Sequence, residues 1–204
     1  FHAIIIWMNQ LSEKVDKTIY KLGREKMQLK TERLSIRPFE VEDKEDIFEI
    51  YEDEETCRFL LHEPWTEMDR DGHFERKRNQ RSLGQKSSLS LAVLADDKVI
   101  GDIAIWYTDM KETVEIGYAF NKNYSGFGYA SEALSAVVRS LFRDYAIHRI
   151  QANMDARNLA SAKLCERIGM RREAHFIQDY WSKGEWTDSY VYALLERDLA
   201  DRQS

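Results

Sequence analysis

A chain of 204 residues with 43% hydrophobic and 32% charged residues has the length and composition of one globular domain with a substantial core. Its formal net charge of -6 argues against a nucleic-acid-binding surface and mildly suits a cationic partner. The two cysteines, Cys57 and Cys165, show neither metal-ligand spacing nor a disulfide framework, so no metal site is expected and a reducing cytoplasm fits.

In chain order, residues 1–28 stand apart as an N-terminal extension. Residues 3–8 are apolar but far too short to cross a bilayer. No basic region precedes them and no clear small-residue cleavage site follows, so neither a signal peptide nor a membrane partner is expected. Over residues 12–26, Val15, Ile19 and Leu22 recur at helical spacing, with Ser12 placed to cap them. This segment reads as a docking helix or dimer arm, or as an extension outside the working domain, with Met8 and Met27 as internal starts.

The domain proper is expected over residues 29–198, with 199–204 as a tail. Residues 33–39 alternate and read as a first strand that Pro38 closes. Residues 43–52 read as a helix with Ile47, Ile50 and Tyr51 turned inward. Residues 59–65 read as an irregular apolar loop, and 67–83 as a second helix, charged and solvated. Residues 90–94 and 99–107 flank the polar turn Ala95-Asp96-Asp97-Lys98 and predict a hairpin. The strand over 113–120 carries Glu115, Gly117 and Ala119 on one face and Ile116, Tyr118 and Phe120 on the other. Beyond a glycine-bearing loop, Ala133, Leu134, Val137, Val138, Leu141, Phe142 and Tyr145 share one helical face. Residues 148–154 alternate as a further strand. Asn158 as N-cap and Gly169 at C′ bracket a short helix. A polar turn around Gly184 and the run 190–195 close the domain as a hairpin.

The most informative stretch is Gly126-Phe127-Gly128 feeding Tyr129-Ala130-Ser131. Glycines let the backbone curl where a Cβ would clash, and a helix N-terminus presents N–H groups to an anion. A P-loop would need Lys-Ser/Thr after the second glycine, where Tyr129-Ala130 stands. A dinucleotide fingerprint would need Gly or Ala at Ser131 and a strand-first start. Both fail. A plain strand-to-helix turn and an anion site of another kind stay open.

The segment Gly126-Phe127-Gly128-Tyr129-Ala130-Ser131-Glu132-Ala133 resembles the acetyl-CoA loop of the Gcn5-related N-acetyltransferases, in the branch that includes the ribosomal-protein N-terminal acetyltransferases. Asn123 stands where that family usually has Gln or Arg, a weaker side-chain partner for a pyrophosphate. Further pieces follow in the family's order: Glu32-Arg33-Leu34 with Arg37-Pro38, then Glu115-Ile116-Gly117-Tyr118, then Asn158-x-x-Ser161, then the hairpin with Tyr190.

The resemblance and the element order together imply an α+β (α/β) domain: a mixed, mostly antiparallel central sheet flanked by helices, with two strands splayed into a cofactor cleft. The resemblance implies transfer of an acetyl group from acetyl-CoA to a primary amine. The amine is a protein N-terminus or, as an alternative, a polyamine, amino sugar or antibiotic. A non-catalytic acyl-CoA-binding module is the reading outside enzymes, and monomer and homodimer both stay open. By the same resemblance, Gly126, Phe127, Gly128, Tyr129, Ala130 and Ser131 hold the pyrophosphate, and Tyr118, Phe120 and Asn158 line the pantetheine arm. A backbone N–H of residues 116–118 takes the developing oxyanion. Ser161 is the expected proton donor to the leaving thiolate and a further cofactor contact, set against a reading as helix first-turn chemistry. Glu115 has the chemistry of a general base, set against a surface carboxylate. Some members carry a catalytic Glu four residues before the hairpin glycine. Here Tyr180 is there, preceded by Asp179, and it either donates a proton or packs. His62 and Trp65 fall in the region that helps line the acceptor side, with packing the default for Trp65.

Overall fold

The computed structural model describes residues 27–200. The helix expected over residues 12–26 lies outside them. The described residues begin with strands β1 (Leu29–Lys30) and β2 (Ser35–Pro38), then helices α1 (Lys44–Tyr51), α2 (Glu54–Cys57) and α3 (Arg70–Asn79). Strands β3 (Arg81–Gly84), β4 (Ser87–Ala95), β5 (Lys98–Tyr107) and β6 (Thr113–Phe120) follow, then the long helix α4 (Tyr129–Tyr145). Strand β7 (Arg149–Asp155), helix α5 (Leu159–Ile168), the hairpin β8 (Arg171–Ser182) and β9 (Glu185–Leu195), and helix α6 (Glu196–Ala200) complete it. No helix among the described residues is long and apolar enough to cross a membrane.

One sheet runs in the order β1-β2-β4-β5-β6-β7-β9-β8, with β3 added beside β4. Strand alternation sends its side chains into two separate cores. Leu91, Val93, Ile103, Ile105 and Ile116 pack with Leu134, Val137 and Leu141 of α4 and with Leu164 and Ile168 of α5. Ala92, Leu94 and Ala119, on the opposite face, pack with Ile47, Ile50 and Tyr51 of α1 and Phe74 of α3. The mostly antiparallel, helix-flanked sheet is the architecture expected from the order of elements.

The helix expected over 67–83 is a correction. It spans only Arg70–Asn79, with Phe74 its one buried residue, and Gln80 leaves helical geometry. Residues 81–84 instead pair with β4, from Arg81↔Leu89 to Gly84↔Ser87. A strand edge offered hydrogen bonds that outweighed a weak helical pattern with almost nothing to bury.

Among the described residues all neighbouring strands are antiparallel except β6 and β7, and this pair decides where a ligand can enter. Their ladder has only three rungs: Thr113↔Arg149, Val114↔Ile150 and Glu115↔Gln151. Beyond the third rung, β6 stays paired with β5 up to Phe120, and β7 stays paired with β9 up to Asp155. The two strands are thus held by their outer neighbours while their facing edges part.

Gly101 and Phe120 are direct partners across β5 and β6. A Cβ on Gly101 would overlap the Phe120 ring. Gly101→Ala is therefore expected to destabilise the domain by about 1–3 kcal/mol through overpacking, read as a lower denaturation midpoint with an unchanged m-value.

Candidate active site

A cavity of about 510 Å³ opens where β6 and β7 separate. Its walls bring together Glu115, Tyr118, Asn158, Ser161 and Tyr180, five of the residues singled out from sequence. Phe120 and residues 126–131 are not part of this wall. Phe120 packs against the larger core, and the glycine loop lies at the mouth of α4.

The two faces of β6 carry different chemistry. Tyr118 turns toward α5, where its hydroxyl contacts Cys165 Sγ at 3.3 Å and donates to the Ser161 carbonyl at 3.4 Å. Burial pushes the Tyr118 phenol well above its ordinary pKa and raises the Cys165 thiol to about 11, so both are neutral packing groups at physiological pH. On α5, Asn158 Oδ1 accepts the Ser161 backbone N–H at 3.0 Å, the N-cap bond that the sequence predicts. That bond fixes the first turn of α5 and with it the position of Ser161 on the cavity wall.

Glu115 lies on the opposite face of β6, at the last rung before the strands part. Its Oε2 accepts from Gln151 Nε2 at 2.9 Å, across that same rung. No salt bridge to Glu115 occurs among the described residues, whereas Asp102, Asp155 and Glu185 on the same wall are each paired with a cation. Ser161 and Glu115 therefore approach the gap from opposite sides of the sheet. Tyr180 is 44% exposed near the hairpin tip. Asp179 is exposed and not part of the wall. His62 lines the cavity, while Trp65 is buried and stacked between Tyr51 and His73 at 4.4 and 4.9 Å. Trp65 thus packs, as expected.

The hairpin tip and the loop after α2 close over the cavity. Lys183 Nζ donates to the Cys57 carbonyl at 2.8 Å, and Arg157 bridges Asp155 and Glu185 at 2.7 and 2.8 Å. Hydrogen bonds that the Arg157 guanidinium donates to Asp155 and Glu185 hold it above its ordinary pKa. Lys183 carried no sequence signal, because its contact with Cys57 joins segments more than a hundred positions apart.

Beside the cavity, Gly126 and Gly128 adopt φ of 84° and 82°, the left-handed region that glycine enters without strain. Gly128 is the N-cap of α4 and provides no side-chain cap, so the first-turn N–H groups of Tyr129, Ala130 and Ser131 have no capping partner from it. Arg33 clamps this loop. Its guanidinium donates to the Phe127 carbonyl at 3.0 Å and to Glu132 at 2.7 Å, and it lies over the Tyr129 ring. The first-strand motif contained Arg33, but only the fold shows that it reaches the glycine loop.

A sheet opened at its one parallel pair, with a glycine-bounded helix mouth beside the opening, is the architecture of an acetyltransferase domain. Residues 33–171 match the model of the acetyltransferase (GNAT) domain, and the chain belongs to that family. It is 34% identical, over 84% of its length and 99% of the other, to an uncharacterized N-acetyltransferase, YnaD, of Bacillus subtilis (strain 168). It is 27% identical, over 88% of its length and 96% of the other, to the ribosomal protein uS5-alanine N-acetyltransferase of Escherichia coli (strain K12). A GNAT-family acetyltransferase from Bacillus anthracis, 33% identical, superposes with a TM-score of 0.75 over 84% of this chain and 99% of that one. The family and fold expected from sequence are borne out.

Proposed function

We propose that this chain transfers the acetyl group of acetyl-CoA to a primary amine, with a protein N-terminal amine as the leading acceptor. The observation that carries this reading is the pairing of an ion-unpaired carboxylate, Glu115, with a hydroxyl-bearing helix start, Ser161, across the gap between β6 and β7. The residues present suit acetyl-CoA. The glycine turn and the first turn of α4 offer backbone N–H groups to a pyrophosphate, and the unpaired edges of β6 and β7 offer backbone hydrogen bonds to a pantetheine arm. When bound, acetyl-CoA supplies an activated thioester carbonyl.

The chain's own groups then have distinct tasks. Glu115 accepts a proton from the incoming ammonium, leaving a neutral amine to attack. A backbone N–H on the 116–118 stretch stabilises negative charge developing on the carbonyl oxygen. Ser161 gives a proton to the departing sulfur, and Asn158 keeps Ser161 in place. Tyr180, near the tip of the closing hairpin, is the alternative donor. The roofed cavity suits a chain end or a small amine better than a side chain within a folded surface. The likeness to the uS5-alanine N-acetyltransferase supports the chain end.

A thiol-release assay tests this with acetyl-CoA and three acceptor classes: peptides beginning with alanine, polyamines and aminoglycosides. Release that depends on a peptide amine, and stops when that amine is blocked, is the expected result. Release with only the small amines overturns the protein-acceptor reading, and no release with any class overturns acetyl transfer.

A further inference from the structure

The end of the cavity beneath α1 and α3 contains an ionic cluster that the transfer chemistry above does not use. Asp102 on β5, Tyr51 on α1 and Lys77 on α3 all belong to the cavity wall. Asp102 is 1% exposed. The Tyr51 hydroxyl donates to Asp102 Oδ2 at 2.6 Å, and the Lys77 ammonium donates to that same oxygen and to the Tyr51 hydroxyl. Both donors fall on one carboxylate oxygen. Asp102 Oδ1 is buried and meets no donor among the described residues. In folded proteins a buried acceptor without a protein donor takes its hydrogen bond from an ordered water or a bound ligand. The other buried polar atom in this state, Trp65 Nε1, belongs to a ring outside the cavity wall.

We propose that Asp102 is a specificity-determining residue at the far end of the amine-substrate site, where its Oδ1 takes a hydrogen bond from an N–H or O–H group of the substrate remote from the reacting amine. The proposal rests on the acetyl-transfer reading of the cavity and names a feature of the substrate. Lys77 already balances the carboxylate charge, so Oδ1 suits a neutral donor and not a second full cation. A hydroxyl or an amide N–H serves it.

Strand register places this contact relative to the chemistry. Asp102 faces Ala119 and Trp106 faces Glu115 on one face of β5 and β6, which puts the two carboxylates at opposite ends of that face. Ala119 and Glu115 are separated by about 14 Å along the strand at ~3.4 Å per residue. Between them, Ala104 and Gly117 face each other, and the Trp106 ring lies against Gly117, so a substrate that reaches both ends passes over that ring. The substrate is therefore elongated. In an extended peptide, the remote donor falls about four residues from the reacting amine, at ~3.3–3.6 Å per residue.

The test compares two probes, a linear eight-carbon amino alcohol and its methyl ether. Both carry an oxygen at the far end, and only the alcohol donates. Calorimetry on the full chain loaded with coenzyme A is expected to show the alcohol binding about tenfold more tightly, the size of one hydrogen bond to a charged group. In Asp102→Asn, Tyr51 and Lys77 hold the amide oxygen and the NH₂ replaces Oδ1, so the preference is expected to vanish or invert. Equal affinity in the wild type, or no binding of either probe, overturns the proposal, and this arm needs no variant to fold. A preference that survives in a folded Asp102→Asn also overturns it, because the donor is then recognised elsewhere. Thiol release is followed in parallel. Selective binding without turnover of any amine leaves the contact standing and overturns acetyl transfer.

Discussion

Gly128→Val is expected to weaken coenzyme A binding by on the order of a hundredfold or more while leaving a folded domain, the loss of two charge-assisted backbone hydrogen bonds at about 1.5–3 kcal/mol each. Two effects separate cleanly by size. Gly128 holds φ 82° and ψ 1°, where a β-branched residue is strained by about 1–3 kcal/mol. A domain with about 5–15 kcal/mol of stability absorbs that strain and stays folded. Cβ itself has room, since its nearest neighbour would be Arg33 Nη2 at 3.6 Å. The affinity loss therefore arises from denied backbone approach to the pyrophosphate, and not from a clash within the protein. Calorimetry with coenzyme A, alongside a thermal melt, checks both parts. Unchanged affinity in a folded variant would remove the glycine loop from the cofactor site. Gly128→Ala should fall between, with the strain of a single Cβ and a smaller obstruction.

What was legible in the sequence was what local chemistry dictates. The α4 face, the Asn158 cap and Gly169 at C′ rest on contacts within a few residues, and each lies where its pattern places it. The strand over 113–120 keeps its bounds because its two faces enter different environments. Strand β8 is legible only as the unnamed arm of the closing hairpin, because from Arg171 to Ser182 it is almost entirely exposed and shows no inward alternation to read. The strand β3 was hidden under a charged run that resembles a solvated helix. The cavity's polar groups were the least visible. Tyr51, Lys77 and Asp102 come from α1, α3 and β5, and Arg33 meets Phe127 and Glu132 across about half the chain. No spacing rule links such positions, because their proximity exists only once the sheet order is set. The Glu115–Gln151 bond belongs to the same class, joining strands on either side of the α4 crossover.

Ser161→Ala separates structure from chemistry at the second candidate group. If the hydroxyl serves the departing sulfur, kcat falls by roughly ten- to a thousandfold, the range for losing a proton donor or a transition-state hydrogen bond. Coenzyme A affinity changes little, because the backbone groups of the glycine turn and of the β6 and β7 edges are untouched. The structure sharpens the stability side of this comparison. The N-cap bond of α5 runs from the Ser161 backbone N–H to Asn158 Oδ1, so alanine at 161 keeps it. The change should therefore cost well under the ~1 kcal/mol of a lost cap, whereas Asn158→Ala should cost about that much. A melting curve and a kcat measurement on the two variants then read different roles. A large kcat loss in Ser161→Ala with an unshifted melt identifies the hydroxyl as the donor. Tyr180→Phe completes the comparison, since Tyr180 lines the same cavity from the hairpin side. A drop in kcat there, with Ser161→Ala unimpaired, transfers the proton to the hairpin. If neither variant loses rate, solvent supplies the proton and these walls act by positioning the reacting groups.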